Sequence, residues 1–218
     1  MFSPYQHLAG CLPMEEDTYR TIEAPAEGLY KEKGSKFIAL AYPVYSEEEV
    51  KETMAELKKQ YYDARHHCYA YSLGADKGRF RANDDGEPNH SAGDPILGQI
   101  RSADLSNVLI AVIRYFGGTK LGVGGLINAY KTAAADALEH ATIIEKHETV
   151  LLQAQYAYPQ MNDVMSLVKE YDLNVRDQQF ELDCCLTLEV RKKLQEEITT
   201  KLEGIEGVKV SVLNELPV

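Results

Sequence analysis

The sequence lacks several features that mark particular classes of protein. It contains no tryptophan, and no apolar run approaches the roughly 18 residues that are needed to cross a bilayer. Hydrophobic residues make up 44% of the 218 residues and charged residues 26%, which is typical of globular domains. We therefore expect no membrane association. A chain of this length can bury a core as one large domain or two modest ones.

Cysteine is also scarce, and its spacing suits neither a disulfide framework nor a zinc site. The four cysteines are Cys11, Cys68, Cys184 and Cys185. Because Cys184 and Cys185 are adjacent, on a strand they face opposite sides and cannot bind one metal ion together. We expect free thiols, no bound metal and no cofactor.

The N-terminal residues lack the basic region and the long apolar core of a secretory signal. This absence predicts a cytoplasmic protein. We expect residues 1–17 to form a flexible extension ahead of the first strand.

An excess of positive charge is missing as well. The chain has 23 Lys and Arg against 34 Asp and Glu, a formal net charge of −11. This charge disfavours binding to duplex DNA, because the phosphate backbone is itself strongly negative. Basic and acidic residues nearly balance between positions 61 and 131, so a local patch there can still contact RNA or an acidic protein surface.

What the sequence does contain is a pattern of strands and helices that predicts an α+β protein with two domains, at residues 18–143 and 144–218. In the first domain, short strands precede a helix that begins with the capping box Ser46–Glu49. In the second, the order is strand, helix, strand, strand, helix, strand. That order is typical of a ferredoxin-like βαββαβ domain.

The most informative stretch is the glycine-rich segment, residues 114–126, which reads RYFGGTKLGVGGL. It follows the continuous apolar run 108–113, which predicts a strand buried on both faces, and it precedes an amphipathic helix that extends through Glu139. A helix start supplies unpaired backbone N–H groups and the positive end of the helix dipole, which together favour an anion. The residues expected to bind an anion, RNA or a partner are Arg114, Gly117, Gly118, Thr119, Lys120, Gly122, Gly124 and Gly125.

The segment matches neither of two recognised phosphate-binding patterns. Lys120 does not follow a glycine as the Walker motif requires, and Ile127 stands where the dinucleotide motif needs Gly or Ala. A structural alternative therefore stays open. In that alternative the glycines permit sharp turns and close packing, and Arg114 pairs with an internal acid.

Three acids and two histidines upstream are secondary candidates. Asp84, Asp85 and Glu87 surround a glycine, so they can hold Mg²⁺ or can bond neighbouring backbone N–H groups in a turn. His66 and His67 diverge if they lie on a strand, so one of them at most can act as an acid or base at a given site.

Aromatic and basic residues also alternate around a predicted hairpin. Tyr69 and Tyr71 share one strand face and can adjoin Arg79 and Arg81 on the next strand. Stacking combined with positive charge suits single-stranded RNA. Ordinary sheet packing explains the tyrosines equally well.

The glycine-rich segment, together with ARHHCYAY at residues 64–71 and NDDGEP at residues 83–88, resembles the signature of the IMPACT family, including its bacterial YigZ-type members. The resemblance extends from about Tyr19 to Val212. It implies an N-terminal domain with the left-handed βαβ ribosomal-protein fold of elongation factor G domain IV. It also implies a ferredoxin-like C-terminal domain similar to domain V.

The resemblance further implies a role in translational control, since eukaryotic members compete for the activator of an amino-acid starvation kinase. We therefore expect a translation-associated regulatory binding protein whose partner is the ribosome, RNA or a translation-related protein. The sequence contains no recognisable set of nucleophile, base and orienting group. The alternative is a metal-dependent enzyme that acts on a phosphate-containing small molecule, with the acids holding the metal and His66 or His67 as acid or base.

Overall fold

The computed structural model describes residues 17–180 and 183–213. The predicted N-terminal extension therefore lies, apart from Asp17, outside the described residues. The chain divides into two compact units, one of which is Tyr19–Lys146. The other contains the described residues from His147 onward, with residues 17 and 18. In the part of the chain that is described, no helix is both long and apolar enough to span a membrane.

Both helices and strands occur, in several sheets, as expected for a mixed α and β protein. The elements up to the boundary between the units are β1 (Thr18–Ile22), β2 (Ala26–Glu32), β3 (Ser35–Pro43), α1 (Glu47–Gln60), β4 (His66–Leu73), β5 (Arg79–Asn83), α2 (Gly93–Ser102), β6 (Val108–Tyr115), α3 (Gly122–Glu139) and β7 (Ile143–His147).

Five of these strands form one antiparallel sheet in the order β2-β3-β6-β4-β5. The central strand β6 is buried from Val108 to Ile113 because both of its faces are covered. One face packs with α1, and the other packs with α2 and α3. The prediction of a doubly covered strand is confirmed.

Helix α1 begins where the capping box predicts. Ser46 accepts a hydrogen bond from the backbone N–H of Glu49 at 3.1 Å. The Glu49 carboxylate bonds back to the N–H of Tyr45, one residue before the expected partner. Val50, Met54 and Leu57 form the buried face of the helix.

Helix α3 packs along β2 and β3. A Cβ on Gly28 would lie 2.3 Å from the backbone nitrogen of Ala137, so only glycine permits this approach. The apolar spacing in the sequence places Val123 and Ile127 on the buried side, and this expectation is wrong. Their side chains are 52% and 39% exposed, although Leu126 between them is buried in the core.

Strand β7 was not expected from the sequence. It pairs with β1 in a separate two-stranded sheet. Its residues alternate in exposure and form only a short apolar pattern, which explains why the segment resembles a linker.

The second unit contains β8 (Thr149–Tyr156), α4 (Met161–Glu170), β9 (Asn174–Phe180), β10 (Cys184–Arg191), α5 (Gln195–Glu203) and β11 (Lys209–Leu213). Its antiparallel sheet has the strand order β11-β8-β10-β9. Val164 and Val168 of α4, with Ile198 and Leu202 of α5, pack on one face of this sheet.

Candidate functional site

A cavity of about 470 Å³ lies in the first unit where β6 ends and α3 begins. It brings together side chains that are far apart in sequence. Its lining consists of Arg65, His66, Glu87, Pro88, Arg114, Phe116, Lys120, Leu121, Gly122, Val123 and Leu126. Five of the predicted candidates therefore share one cavity: Arg114, Lys120, Gly122, His66 and Glu87.

Glycines shape the chain at this cavity for two different reasons. A Cβ on Gly117 would lie 1.9 Å from the carbonyl carbon of Gly34, so two backbones touch there. Gly118 and Gly122 have φ values of +86° and +72°, which favour glycine. This much agrees with the structural alternative for the glycine-rich segment. It does not account for Gly124, whose added Cβ would meet nothing within 4 Å among the described residues.

The start of α3 is open. In the described chain no side chain caps the helix, and its first turn contains no acidic residue. Its first N–H groups thus have no side-chain acceptor, and the positive end of the helix dipole lies beside the cavity at Gly122.

Arg114 and Glu87 form a buried ion pair at the cavity. Arg114 Nη1 donates to Glu87 Oε1, and the residues are only 6% and 8% exposed. Tyr130 donates its hydroxyl to the same carboxylate oxygen at 2.8 Å, and Cys68 Sγ lies 3.3 Å from that hydroxyl. Burial raises the pKa values of both Tyr130 and Cys68, with their mutual contact and Glu87 adding to the rise for Tyr130.

The pairing leaves part of the Arg114 guanidinium unsatisfied. Its Nε is buried and has no hydrogen-bond partner among the described residues. The guanidinium carbon lies 5.4 Å from the ring centre of Phe37 and 5.7 Å from that of Phe116. These cation–π contacts position the guanidinium. A buried donor without an acceptor lowers the stability of the folded state.

Lys120 and His66 present further polar groups at the cavity. Lys120 is exposed and forms no ion pair with any described residue. His66 Nδ1 donates to the backbone carbonyl of Asp85 at 2.9 Å, so in the neutral ring Nε2 is the acceptor. Of the two cations expected at the segment, Arg114 therefore faces an internal acid and Lys120 faces outward.

The three acids do not converge on a metal site. Asp84 accepts hydrogen bonds from the backbone N–H groups of His90, Ala92 and Gly93, which secures the start of α2. Asp85 accepts from the N–H of His67 at 2.7 Å, and Glu87 is held by Arg114 and Tyr130. Within residues 17–180 and 183–213, no three His, Cys, Asp or Glu side chains are grouped as metal ligands. Of the two alternatives for these acids, the contacts favour the turn over a Mg²⁺ grouping, because each carboxylate has a separate structural partner.

Comparison with known proteins identifies the first unit. Residues 33–138 match the Impact N-terminal domain. The IMPACT family member YvyE of Bacillus subtilis (strain 168) is 33% identical over 153 residues, which cover 70% of this chain and 70% of YvyE. The chain belongs to the IMPACT family.

The chain is also similar to one further bacterial family member and to two solved structures. The family member YigZ of Escherichia coli (strain K12) is 32% identical over 68% of this chain and 74% of YigZ. A crystal structure described as that of a hypothetical protein is 26% identical, covers 92% of this chain and 99% of its own, and has a TM-score of 0.70. The structure of Yih1, described as a two-domain translational regulator, is 26% identical over 65% of this chain and 53% of Yih1, with a TM-score of 0.33.

The residues that line the cavity of this IMPACT family member all lie within the matched residues 33–138.

The other candidates on strands β4 and β5 do not line this cavity. His67 is buried, and its Nε2 donates to the carbonyl of Tyr61 at 3.1 Å, so it diverges from His66 as predicted. Tyr71 is buried beneath α1 opposite Arg81, and Tyr69 packs against the same core. The Tyr71 ring is therefore not available to stack on a base, which corrects the RNA-stacking interpretation for this residue.

Arg79 and Arg81 are exposed on the edge strand β5, away from the residues that line the cavity. In contrast, the sequence interpretation missed Tyr130, Arg65 and Val123 of this IMPACT domain as parts of the site or its support. Arg65 and Val123 lie inside the family motifs, and this position was the sequence feature that could have identified them. No sequence feature indicates a role for the Tyr130 hydroxyl, because the helical spacing of Tyr130 indicates only a core residue.

Proposed function

We propose that the protein is a translation-associated regulatory binding protein that recognises a protein partner through the surface around the cavity. The observation that carries this proposal is the joint exposure of Lys120 and large apolar side chains at the uncapped start of α3. Membership of the IMPACT family supports the translational role, since the resemblance implies translational control. A cytoplasmic location is part of the proposal.

The apolar side chains favour a protein over other partners. Phe116 is 48% exposed, and it lies at the cavity with Val123, while Ile127 follows one turn later on α3. Clustered apolar side chains with a polar rim are typical of protein interaction surfaces. Here Lys120 and Arg65 supply the polar rim.

RNA is the less favoured partner. A polyanionic backbone is bound by rows of cations, whereas Arg114 is already neutralised by Glu87 and the whole chain carries −11. Tyr71, one of the two rings proposed for base stacking, is buried, and Tyr69 is partly buried. RNA or ribosome binding would instead appear as capture that nuclease treatment abolishes.

We also propose domain folds that match this role, with domains at residues 18–143 and 144–218. The first would have a left-handed βαβ unit like elongation factor G domain IV. The βαβ part of this proposal is supported by β3 and β4, which lie antiparallel to β6 on its two sides, with α1 between them in the chain. The second would be ferredoxin-like, supported by its βαββαβ order and its strand order β11-β8-β10-β9.

The test is affinity capture from cell lysate with the tagged full-length protein, with and without nuclease. We expect a translation-related protein to be captured in both conditions, and to bind again when both proteins are purified. Lys120→Glu should abolish capture. Lys131→Glu, which makes the same change at an exposed position farther along α3, should not.

Capture that disappears after nuclease treatment would show that RNA is the partner and would overturn the proposal. Equal loss in the Lys120 and Lys131 variants would also contradict it, since only the general charge of the protein would then matter.

A further inference from the structure

We propose that the cavity binds a single oxyanion, a carboxylate or a phosphate, that is carried next to an aromatic or large apolar group. This inference rests on the proposed function, because it specifies the chemical group that the protein partner presents. The cavity combines a side that suits an anion with an apolar side.

The anion side is formed by two independent features. The first turn of α3 directs uncapped N–H groups and the positive end of an 18-residue helix toward an acceptor that this chain does not supply among its described residues. Arg114 lines the same cavity and is only 6% exposed. Its buried Nε has no acceptor among the described residues. An oxyanion at the start of α3 would accept hydrogen bonds from these N–H groups and would lie beside the Arg114 guanidinium, which lines the same cavity.

The charge of the cavity indicates one oxyanion rather than several. Glu87 cancels the charge of Arg114 and, together with the Tyr130 hydroxyl, fixes its position. Lys120 and Arg65 are the remaining cations of the lining. Two cations and a helix dipole match a monoanion or dianion, and they are too few to hold a polyanion.

The apolar side explains why a free inorganic ion would not fill the site. Pro88, Phe116, Leu121, Val123 and Leu126 line the rest of the cavity. Its volume of about 470 Å³ lies in the range of small-ligand sites, about 300–1,000 Å³. An aromatic or large aliphatic group attached to the oxyanion would cover the exposed parts of Phe116 and Val123.

Gly124 leaves room for this ligand. It is an ordinary helical residue without positive φ, and apart from its chain neighbours and the backbone of its own helix no described atom lies within 4 Å of the place where its Cβ would be. Neither backbone conformation nor internal packing requires glycine here, and glycine is unfavourable in a helix. Close approach of a ligand to the exposed helix backbone supplies a reason.

The test uses matched pairs of small probes and ¹⁵N NMR of the full-length protein. N-acetylphenylalanine carries the carboxylate and the ring, whereas N-acetylphenylalaninamide carries the ring alone. Phenyl phosphate and inorganic phosphate form the corresponding phosphate pair. We expect saturable shifts of the Gly122, Gly124 and Gly125 amide signals with at least one of the two complete probes, which would bind about tenfold tighter than its incomplete counterpart.

Variants locate the binding on the cavity. Lys120→Gln and Gly124→Val should each weaken the better probe about tenfold, whereas Lys131→Gln on the same helix should leave its affinity unchanged. The dispersion of the amide spectrum reports directly whether each variant is folded. The stronger of the two complete probes identifies the partner's group as a carboxylate or a phosphate.

The inference is overturned if neither complete probe shifts the three glycine signals, or if the incomplete probes bind equally well. It is also overturned if a captured partner depends on Lys120 but is not displaced by a complete probe. If the probes bind as expected and no partner is captured, the inference stands and the proposed function fails.

Discussion

The Arg114 guanidinium and the Glu87 carboxylate meet in the interior of the first unit, 27 residues apart in the chain. Arg114 comes from the end of β6, and Glu87 comes from the loop between β5 and α2. The carboxylate also accepts a hydrogen bond from Tyr130 of α3. One carboxylate thereby joins the central strand, a loop and a helix beneath the cavity.

The Glu87→Ala substitution should lower the free energy of unfolding by about 3–5 kcal/mol, because it leaves the buried Arg114 charge unpaired and the Tyr130 hydroxyl without its acceptor. Urea unfolding followed by circular dichroism measures the loss. Asp94→Ala is the control, since Asp94 forms an exposed pair with His90, and it should change stability by no more than about 0.5 kcal/mol. Equal effects of the two substitutions would contradict the buried ion pair.

Two glycines of the glycine-rich segment should respond in opposite directions to alanine. Gly117→Ala should destabilise the protein by about 1–3 kcal/mol or more, because its Cβ would overlap the backbone of Gly34. Gly124→Ala should stabilise it by up to about 1 kcal/mol, because the added methyl meets open space on a helix. Thermal or urea unfolding of the pair compares them directly, and a loss of stability in Gly124→Ala would show that the position has an internal packing role.

Asp84→Ala should cost about 0.5–2 kcal/mol at pH 7, since Asp84 caps the start of α2. Burial alone would raise the pKa of Asp84, but hydrogen bonds from Gly93, His90 and Ala92 hold it below its usual value of 3.8.

The pH dependence of this cost follows from the lowered pKa. The unfolded state binds the proton more readily, so the contribution of Asp84 is fully present above pH 3.8 and declines as pH falls through the folded-state pKa. Urea midpoints of the wild type and the variant should therefore converge below pH 3.8. A difference that grows on acidification would contradict the assignment.

The three described cysteines should differ in their reaction with iodoacetamide at pH 8. Burial raises the pKa values of both the Cys68 and the Cys185 thiols, so exposure separates the three: Cys68 and Cys184 are buried, whereas Cys185 is partly exposed. The thiolate is the reactive form, so Cys185 should be alkylated first and the other two only after unfolding. Peptide mapping by mass spectrometry in a Cys11→Ser background measures the order. Early labelling of Cys68 would indicate that its surroundings open.

Local patterns in the sequence predicted the elements near the site well. The apolar run 108–113 predicted the buried strand β6, Ser46 predicted the start of α1, and the segment after Gly122 predicted α3. Each of these depends on residues that are close together in the chain, where periodicity and capping rules apply. Strand β7 escaped prediction because its pairing with β1, more than a hundred residues earlier, leaves little trace in its own composition.

The partners of the polar candidates were not predictable in the same way. The register between β4 and β6 sets His66 opposite Arg114, and no local pattern encodes that register. The sequence does not distinguish the roles of the three acids after β5. In the structure, Asp84 caps the start of α2, Asp85 accepts a hydrogen bond from the His67 N–H, and Glu87 pairs with Arg114 in the core. Val123 has the spacing of a buried residue, yet its side chain is half-exposed and lines the cavity.

By itself, the sequence determined the family, the succession of strands and helices, and the presence of glycines and cations at the start of α3, because these are properties of contiguous residues. Only the tertiary structure decided that Arg114 faces Glu87 while Lys120 faces solvent, and that apolar side chains share their cavity. The physical reason is that charge pairing and burial depend on distances across the sheet. Those distances are set by the packing of strands and helices that are remote in the chain.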